Sequence, residues 1–540
     1  MGVQMGSSAR RLTGRRRFLG PLVALAVGIA AAPAWAQPLA GTDRDAASTT
    51  RAVVVRELAP GSDAAERAVR AVGGSVTTPL PIVDGFSAQV PVARLDALRR
   101  SAGVRSVDLA APVHFDGAYG QGSRGPSAVY SDAVRADRAW SAGHRGQGIG
   151  VAVIDTGVNA VGDLAGRVSH SADFTADGDG VDRFGHGTFV AGLVAGTGAT
   201  GTGVRGVAPA AHVISLKIAG RNGSADITHV MAALQYAVSF KDVYDIDVVN
   251  LSLGTDSTQD TRIDPLNMAV ERAWAAGLVV VVSASNRGPD AGTVTKPADD
   301  PWVITVGSAA DASTPGIADD TVPAFSAAGP TRSNGIAKPD LVAPGGSVVS
   351  TRAVGSTIDQ EHAGARIGTQ HFVGSGTSFS SGVVSGAAAL VLSRTPSLTP
   401  DQVKARLVGT ARPGPVTDVQ RVGAGWLDAA AATLSNSTAA ANAGLPRSDG
   451  SGSLELSRGS MGVQIQTGVV GSLLGPVPVL TTLTGAVTAQ DRPFDLAAYR
   501  DGAWTAPSWS GSQWYGSQWY GSQWYGSQWY GSQWYADQWG

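Results

Sequence analysis

Between residues 148 and 286, short runs of valine and isoleucine alternate with segments of helical periodicity. The runs are GIGVAVID, HVISLKIAG, DVVNLSLG and LVVVVSASN, and the segments between them include ITHVMAALQYAVSF and PLNMAVERAWAAG. Continuous apolar strands separated by amphipathic helices are typical of a parallel sheet covered by helices on both faces. Residues 133–435 are therefore predicted to form an α/β domain with a doubly wound, mostly parallel sheet.

Four polar residues stand at the places where such a sheet collects its functional groups, the carboxyl ends of the strands. Asp155 and Asn286 each end a strand, while His186 lies between two glycines and Ser378 lies in SGTSFSSG, each at the start of a helix. Each residue alone has an ordinary explanation as a cap, a turn residue or a surface group. Their joint occurrence favours a catalytic set.

The motifs around these residues resemble the signatures of the subtilisin-like serine peptidases. They read D-T-G, G-H-G-T-F-V-A-G and G-T-S in that order, and further matches are GVAP at 206–209, NLSLG at 250–254 and KPDLVAPG at 338–345. The resemblance implies a subtilisin-like fold and hydrolysis of peptide bonds through an acyl-enzyme. It covers residues 130–435.

The resemblance also implies a role for each motif residue. Ser378 is the expected nucleophile, His186 the general base and acid, and Asp155 the group that orients the imidazole. Asn286, with the Ser378 backbone N–H, is expected to hold the oxyanion.

The same resemblance places the substrate along one short extended stretch. Ser252, Leu253 and Gly254 are expected to pair with the peptide as an added strand. Ser285 occupies a position that is usually glycine in the family, so it is expected to narrow or polarise the wall of the specificity pocket.

Ahead of the peptidase region, residues 50–115 show strand and helix patterns in the order β-α-β-β-α-β. This order predicts a small α+β domain of the ferredoxin-like split type. The domain resembles the inhibitory prodomains of the family, which implies a zymogen that cuts itself and a prodomain that acts as inhibitor. The maturation site is expected in the linker 116–132 or beside it, and Phe115 is the nearest peptide-like candidate.

The N-terminal residues 1–36 predict an export signal. Several arginines precede the uncharged run FLGPLVALAVGIAAAPAWAQ, and Ala34, Trp35 and Ala36 give a small-x-small cleavage pattern. Arg15 and Arg16 also resemble the pair of a twin-arginine signal, which leaves the export route open. The expected location is outside the cell, with attachment to the cell surface as an alternative.

Beyond the peptidase region the composition changes twice. Residues 436–500 are rich in Gly, Ser and Thr and are expected to form an accessory segment, and residues 501–540 contain five copies of GSQWY. The repeated tryptophans suit contact with cell-surface carbohydrate or another flat partner in the envelope, but a dispensable extension is the competing interpretation.

Composition narrows the remaining partners. The net charge of −2 gives no field that would recruit nucleic acid, and cysteine is absent. The implied chemistry requires no cofactor, and no metal ligand is assigned. The acidic run ADGDGVD at 176–182 is either a structural calcium site or a solvated loop.

The leading hypothesis is a secreted, monomeric serine endopeptidase of broad specificity that acts on polypeptides. No Asp or Glu is visible in the segments expected to wall the specificity pocket, so uncharged side chains are expected beside the scissile bond. Two alternatives stay open: an inactive cell-surface binding protein that acts through its Trp-rich tail, and a maturation peptidase with one substrate.

Overall fold

The structure, a computed structural model, describes residues 50–457 except 111, 116–117, 120–127, 176, 202–203 and 256. The backbone of residues 464–472 and 475–482 is also described. The predicted export signal, the Trp-rich tail, most of the linker 116–132 and parts of the accessory segment 436–500 lie outside the described residues.

A small α+β domain comes first, as predicted. Its elements are β1 (Thr50–Glu57), α1 (Ala64–Ala71), β2 (Ser75–Leu80), β3 (Gly85–Pro91), α2 (Leu95–Arg99) and β4 (Val104–Leu109). The four strands form a sheet in the order β2-β3-β1-β4, and each strand is antiparallel to its neighbours. The apolar faces of α1 and α2 close its core around Val69, Phe86 and Leu98.

The connection that follows contains short elements only. They are β5 (Pro112–Phe115), β6 (Ala118–Tyr119), α3 (Tyr130–Ala133) and α4 (Ala136–Ser141).

The main sheet has seven strands, all parallel, in the order β15-β14-β13-β11-β7-β9-β8. They are β7 (Gly150–Asp155), β8 (Val168–Asp173), β9 (His212–Lys217), β11 (Ile246–Leu251), β13 (Val279–Ser283), β14 (Ile304–Ala309) and β15 (Leu341–Pro344). Every residue of β7 and β13 is buried, which explains why these strands read as unbroken apolar runs.

Helices cover this sheet in two groups. The first group packs together and consists of α5 (His186–Ala195), α9 (Thr377–Arg394), α10 (Pro400–Gly409) and α12 (Ala429–Leu434). The second is the pair α6 (Ile227–Ser239) and α7 (Pro265–Ala275). The predicted doubly wound, mostly parallel α/β fold is confirmed.

Shorter elements complete the described chain. They are β10 (Ser224–Asp226), β12 (Leu253–Gly254), β16 (Val348–Thr351), α8 (Thr357–Glu361), β17 (Arg366–Ile367), β18 (His371–Ser375), α11 (Val419–Val422), α13 (Leu454–Ser457) and the antiparallel pair β19 (Gln464–Ser472) and β20 (Gly475–Thr482). Within the described residues, no helix has the length and hydropathy needed to cross a bilayer.

A buried acidic residue on α7 makes folding stability depend on pH. Burial, with the Asp300 carboxyl nearby, raises the pKa of Glu271 to about 9. The raised pKa means that the folded state holds a proton which the unfolded chain releases near pH 4.5. The stabilisation is therefore complete below about pH 4.5 and is lost as the pH rises towards 9.

Glu271→Gln is expected to flatten this dependence. Between pH 6 and pH 9 the unprocessed wild-type chain should lose roughly 2–4 kcal/mol of unfolding free energy that the glutamine variant retains. Urea unfolding at both pH values measures the difference. Equal losses in the two proteins would show that other groups dominate the alkaline limb.

Candidate active site

The chain brings three of the predicted site residues to one end of the sheet. Asp155 is the last residue of β7, His186 is the first residue of α5, and Ser378 is the second residue of α9. All three side chains are fully buried. Asn286 is half-buried and follows β13 by a few residues.

Asp155 and His186 form a direct pair. The imidazole Nδ1 lies 2.8 Å from Oδ1 and 2.9 Å from Oδ2 of Asp155. Because a carboxylate can only accept there, Nδ1 carries the proton and Nε2 is left as the basic nitrogen. This arrangement suits a general base that is held in one tautomer.

A second buried carboxylate, Asp182, supports this pair, and its role was not predicted. Its Oδ1 accepts from the Thr156 hydroxyl at 2.8 Å and from the Gly185 N–H at 2.6 Å. Its Oδ2 accepts from the N–H and the hydroxyl of Thr188 at 2.9 and 2.6 Å. Asp182 therefore ties the first turn of α5 to the residue that follows Asp155.

Thr156 connects the hydrogen bonds of Asp182 to those of Asp155. Its N–H donates to Asp155 Oδ1 at 2.7 Å, and its hydroxyl accepts from the Gly187 N–H at 2.9 Å. A Cβ at Gly187 would lie 2.1 Å from the Gly157 carbonyl oxygen, so only glycine permits this close approach. The glycine that follows His186 is thus required by packing.

The surroundings of Ser378 are a set of hydroxyl groups. The Ser378 hydroxyl lies 3.4 Å from the Ser252 carbonyl oxygen. The Ser252 and Ser381 hydroxyls both donate to the Ser378 carbonyl, at 3.1 and 2.8 Å. The next residue, Phe379, places its ring centroid 5.7 Å from that of His186. The first turn of α9 therefore lies against the imidazole.

The Asn286 side chain is held in one orientation by Thr377. Its Oδ1 accepts from the Thr377 N–H at 2.8 Å and from the Thr377 hydroxyl at 2.9 Å. Because the carbonyl side of the amide is occupied, the NH₂ group is the donor left for a ligand. This is the arrangement required of an oxyanion donor beside the N-terminus of α9.

Ser285 has a strained backbone. Its φ is +105°, a region that glycine adopts readily and other residues rarely do. Hydrogen bonds on both sides maintain it, since its N–H donates to Thr377 Oγ1 at 3.2 Å and its carbonyl accepts from Ala327 at 3.1 Å. The departure from glycine therefore carries a conformational cost.

Ser285→Gly is expected to stabilise the fold by about 1 kcal/mol, because relief of strain exceeds the entropy that glycine adds to the unfolded chain. Urea unfolding in a Ser378→Ala background, which prevents self-digestion, measures the change. A less stable glycine variant would mean that the bond from the Arg287 N–H to the Ser285 hydroxyl, 3.2 Å long, matters more than the strain.

The predicted substrate edge is occupied by the chain's own segment. β5 pairs antiparallel with β12, so that Phe115 lies opposite Leu253 and His114 opposite Gly254. On its other side β5 pairs antiparallel with β10. The segment is therefore the central strand of a three-stranded sheet beside Ser378.

A second segment of the chain pairs with another strand near Ser378. β6 pairs antiparallel with β18, with Ala118 opposite Ser375. Ser375 is the last residue of β18 and comes shortly before Ser378 in the sequence, and Ser252 immediately precedes β12. β5 and β6 therefore pair with strands that adjoin Ser378 in space or in sequence.

The acidic loop before His186 is paired with cations. Lys217, fully buried, places Nζ 2.7 Å from Asp177, 3.2 Å from Asp173 and 3.8 Å from Asp179. Arg183 contacts Asp177 and Asp179 at 3.3 and 2.5 Å. Across the part of the chain that the structure describes, no group of three or more acidic or histidine side chains is arranged to hold a metal ion.

Comparisons with known proteins agree with this geometry. The model of the subtilase family (peptidase S8) matches residues 146–452, more than half of the chain. The chain is 24% identical to fervidolysin from Fervidobacterium pennivorans, described as a keratinolytic enzyme related to subtilisin. That likeness has a TM-score of 0.56 over 72% of this chain and 61% of fervidolysin, and it supports the fold.

Two curated relatives extend the comparison. Serine protease AprX of Bacillus subtilis is 42% identical over 266 residues, which are 48% of this chain and 60% of AprX. Subtilisin DY of Bacillus licheniformis is 33% identical over 280 residues, which are 52% of this chain and 89% of that protein. The chain belongs to the subtilase family of serine peptidases.

Proposed function

We propose that this protein is a secreted serine endopeptidase that is made as a zymogen. The observation that carries the proposal is the pairing of the chain's own β5 with β12 and of its β6 with β18, two strands that adjoin the buried Ser378 in space or in sequence. Asp155 and His186, also buried, form a hydrogen-bonded pair. A peptide bond held between these two edges is presented to the serine. Relatives named as serine proteases and subtilisins support the same conclusion.

The catalytic steps follow from the chain's own groups. His186 Nε2 takes the proton of the Ser378 hydroxyl as its oxygen attacks the scissile carbonyl, and Asp155 stabilises the imidazolium. The Asn286 NH₂ and the Ser378 N–H stabilise the oxyanion. The imidazolium then gives its proton to the leaving amine, and water repeats the sequence on the acyl-enzyme.

Substrate recognition is expected to depend mainly on backbone groups. An added strand is held by main-chain hydrogen bonds, which every polypeptide offers, and side-chain pockets add preference. We therefore infer broad specificity on extended polypeptides, outside the cell in view of the arginine-led apolar segment and its Ala34-Trp35-Ala36 pattern.

We further propose that residues 50–115 inhibit the peptidase until the junction is cut and they have left the peptidase domain. The pairing of β5 with β12 ends with Phe115 opposite Leu253, and the carbonyl of the preceding residue, Ser252, faces the Ser378 hydroxyl. Further along the chain, Ala118 pairs with Ser375. The cut is therefore expected at one of the three bonds from Phe115 to Ala118, most centrally at the bond between Asp116 and Gly117.

A labelling and sequencing experiment tests both statements. The purified wild-type chain is expected to react with a fluorophosphonate probe at Ser378, located by peptide mapping, and to yield a mature N-terminus at residue 116, 117 or 118. Heat-denatured protein is the control for labelling. Folded protein that neither labels nor processes, even after added protease has removed the prodomain, would refute the catalytic function.

A separate prediction concerns whether the acidic loop before His186 needs calcium. We infer that Lys217 and Arg183 neutralise its carboxylates, so that EGTA should leave the thermal unfolding of the unprocessed chain unchanged. Lys217→Met should cost about 3–5 kcal/mol, since it leaves carboxylates beside a buried position without their cation. A drop in wild-type melting temperature in EGTA, reversed by calcium, would indicate a bound ion.

A further inference from the structure

Residues 445–457, which we call the C-terminal strap, cross the surface of the peptidase domain after its last long helix. The strap is bound at α7 and just before it. The Ser448 N–H donates to Glu271 at 2.7 Å and its hydroxyl to the Asp264 carbonyl at 2.8 Å. The Gly452 N–H donates to the Ile263 carbonyl at 2.7 Å. These bonds fix the course of the strap.

The far end of the strap is fixed beside the substrate edge. The amide of Gln259 donates to the Ser453 carbonyl at 3.0 Å, and its oxygen accepts from the Ser453 N–H at 2.9 Å. The Ser457 hydroxyl donates to Asp264 at 2.8 Å, and its carbonyl accepts from the hydroxyl of Thr255, the residue after β12. The strap is thus an ordered part of the peptidase surface.

The same strap contacts the small N-terminal domain. The Ser453 hydroxyl lies 3.2 Å from a carboxylate oxygen of Asp108 on β4. Among the described strands, β4 is the outer strand of its sheet and is bonded to β1 alone, and α13 packs against it. The strap therefore covers one edge of the prodomain.

A buried guanidinium lies at the centre of this contact. Arg56 of β1 is 1% exposed and donates through Nε to the Val83 carbonyl at 3.0 Å. Its Nη2 lies 3.9 Å from the Met268 sulfur on α7, and a Cβ at Gly450 would lie 3.0 Å from the same nitrogen. Gly450, with φ +61°, brings the strap backbone close to the charged group.

Charge adds to the fit. Asp449 is next to Gly450, and its pKa lies below the ordinary value chiefly because Ser451 donates to its carboxylate, with smaller contributions from Arg56 and Arg105. The strap thus carries an acidic residue next to Gly450, whose backbone approaches Arg56, and it presents a hydroxyl to the prodomain carboxylate Asp108.

A different part of the prodomain docks without the strap. Asp84 forms an ion pair with Arg272 of α7, with nitrogen–oxygen distances of 3.0 and 2.6 Å, and the Ile82 N–H donates to Gln235 of α6 at 2.6 Å. The helices α6 and α7 are therefore one docking surface. The strap is distinct from it.

We propose that the C-terminal strap is a second docking surface for the prodomain, one that recognises the basic and acidic side chains of β1 and β4. This role of the strap rests on the proposed zymogen function, because a prodomain that is bound more tightly leaves the peptidase domain more slowly and delays its activation. The strap slows departure of the prodomain after the cut, so that the segment behind the peptidase domain sets the activation rate.

Hydrogen exchange on the full chain tests the proposal without any need for activity. All proteins carry Ser378→Ala, which keeps the junction uncut. Adding Ser453→Ala and Asp449→Asn together should speed amide exchange in residues 104–109 about tenfold, the effect of losing one hydrogen bond to a charged group. Leu445→Ala, at an exposed residue at the other end of the same strap, is the matched control and should change nothing.

The partner side gives an independent check. Asp108→Asn alone should speed the same amides, and combining it with Ser453→Ala should add little, because the two changes remove one contact. The proposal would be overturned if amides 104–109 exchanged in these variants at the rate of the control. It would also be overturned if the amides of the buried strand β7 were accelerated as much as amides 104–109. In the chain that keeps Ser378, the strap variant should shorten the lag before peptidase activity appears. If that chain never reacted with fluorophosphonate, the proposed peptidase function would be refuted, while the hydrogen-exchange result on docking would still stand.

Discussion

Ser378→Ala is expected to accumulate as the full-length chain and to lose peptidase activity by about a millionfold, the size of the loss in subtilisin, a relative of this protein. The reason is that the hydroxyl supplies the only nucleophile in the proposed mechanism. Activity is measured on an extended peptide substrate after the prodomain has been removed with added protease. Intact mass reports whether the junction has been cut.

The double variant Ser378→Ala with His186→Ala is the control for this result. Residues that act as one unit lose their effect together, so the double variant should be no slower than Ser378→Ala alone. If His186→Ala reduced the residual rate further, the two side chains would be acting separately. That outcome would contradict the proposed transfer of the Ser378 proton to His186.

Asp182→Asn is expected to cost about 2–4 kcal/mol of unfolding free energy and to slow acylation of Ser378 by about a hundredfold. Each carboxylate oxygen of Asp182 accepts from a backbone N–H as well as a hydroxyl. An asparagine NH₂ placed on either side would therefore face the Gly185 or the Thr188 N–H, and one buried donor would be left without an acceptor.

The kinetic part of this prediction separates positioning from simple stability. Fluorophosphonate labelling is measured well below the melting temperature, where both proteins are folded. Asp182→Glu, which keeps both acceptors but lengthens the side chain, and Asp163→Asn, a buried aspartate bonded to Thr200 and His371, are the comparisons. If Asp182→Asn labels at the wild-type rate, Asp182 stabilises the fold only, and its link to His186 through Thr156 has no catalytic effect.

The sequence around Asp182 explains why its role was not predicted. It ends the run ADGDGVD, in which glycines and carboxylates alternate as in a solvated loop. The structure divides that run, since Asp177 and Asp179 contact Lys217 and Arg183 near the surface while Asp182 is buried. Lys217 is distant in sequence, so no local pattern could have paired it with the loop.

The proposed oxyanion donor, Asn286, shows the same limit. The motif around Asn286 indicated a polar amide at a strand end, and its orientation could not be inferred from the segment. Thr377 fixes it from 91 residues away, through its N–H and its hydroxyl. The serine at position 285 was recognised as a departure from glycine, but only the backbone angle gave that departure an energetic consequence.

The sequence by itself determined the parallel sheet, the small domain ahead of it and the order of the motif residues. The periodicity of apolar residues and the placement of glycines are local properties of each segment, because a segment needs them in order to be buried or to turn. Tertiary structure alone decided which distant groups share a hydrogen bond or a charge. Ser453 meets Asp108 across 345 residues of chain, and only the folded chain brings such partners together.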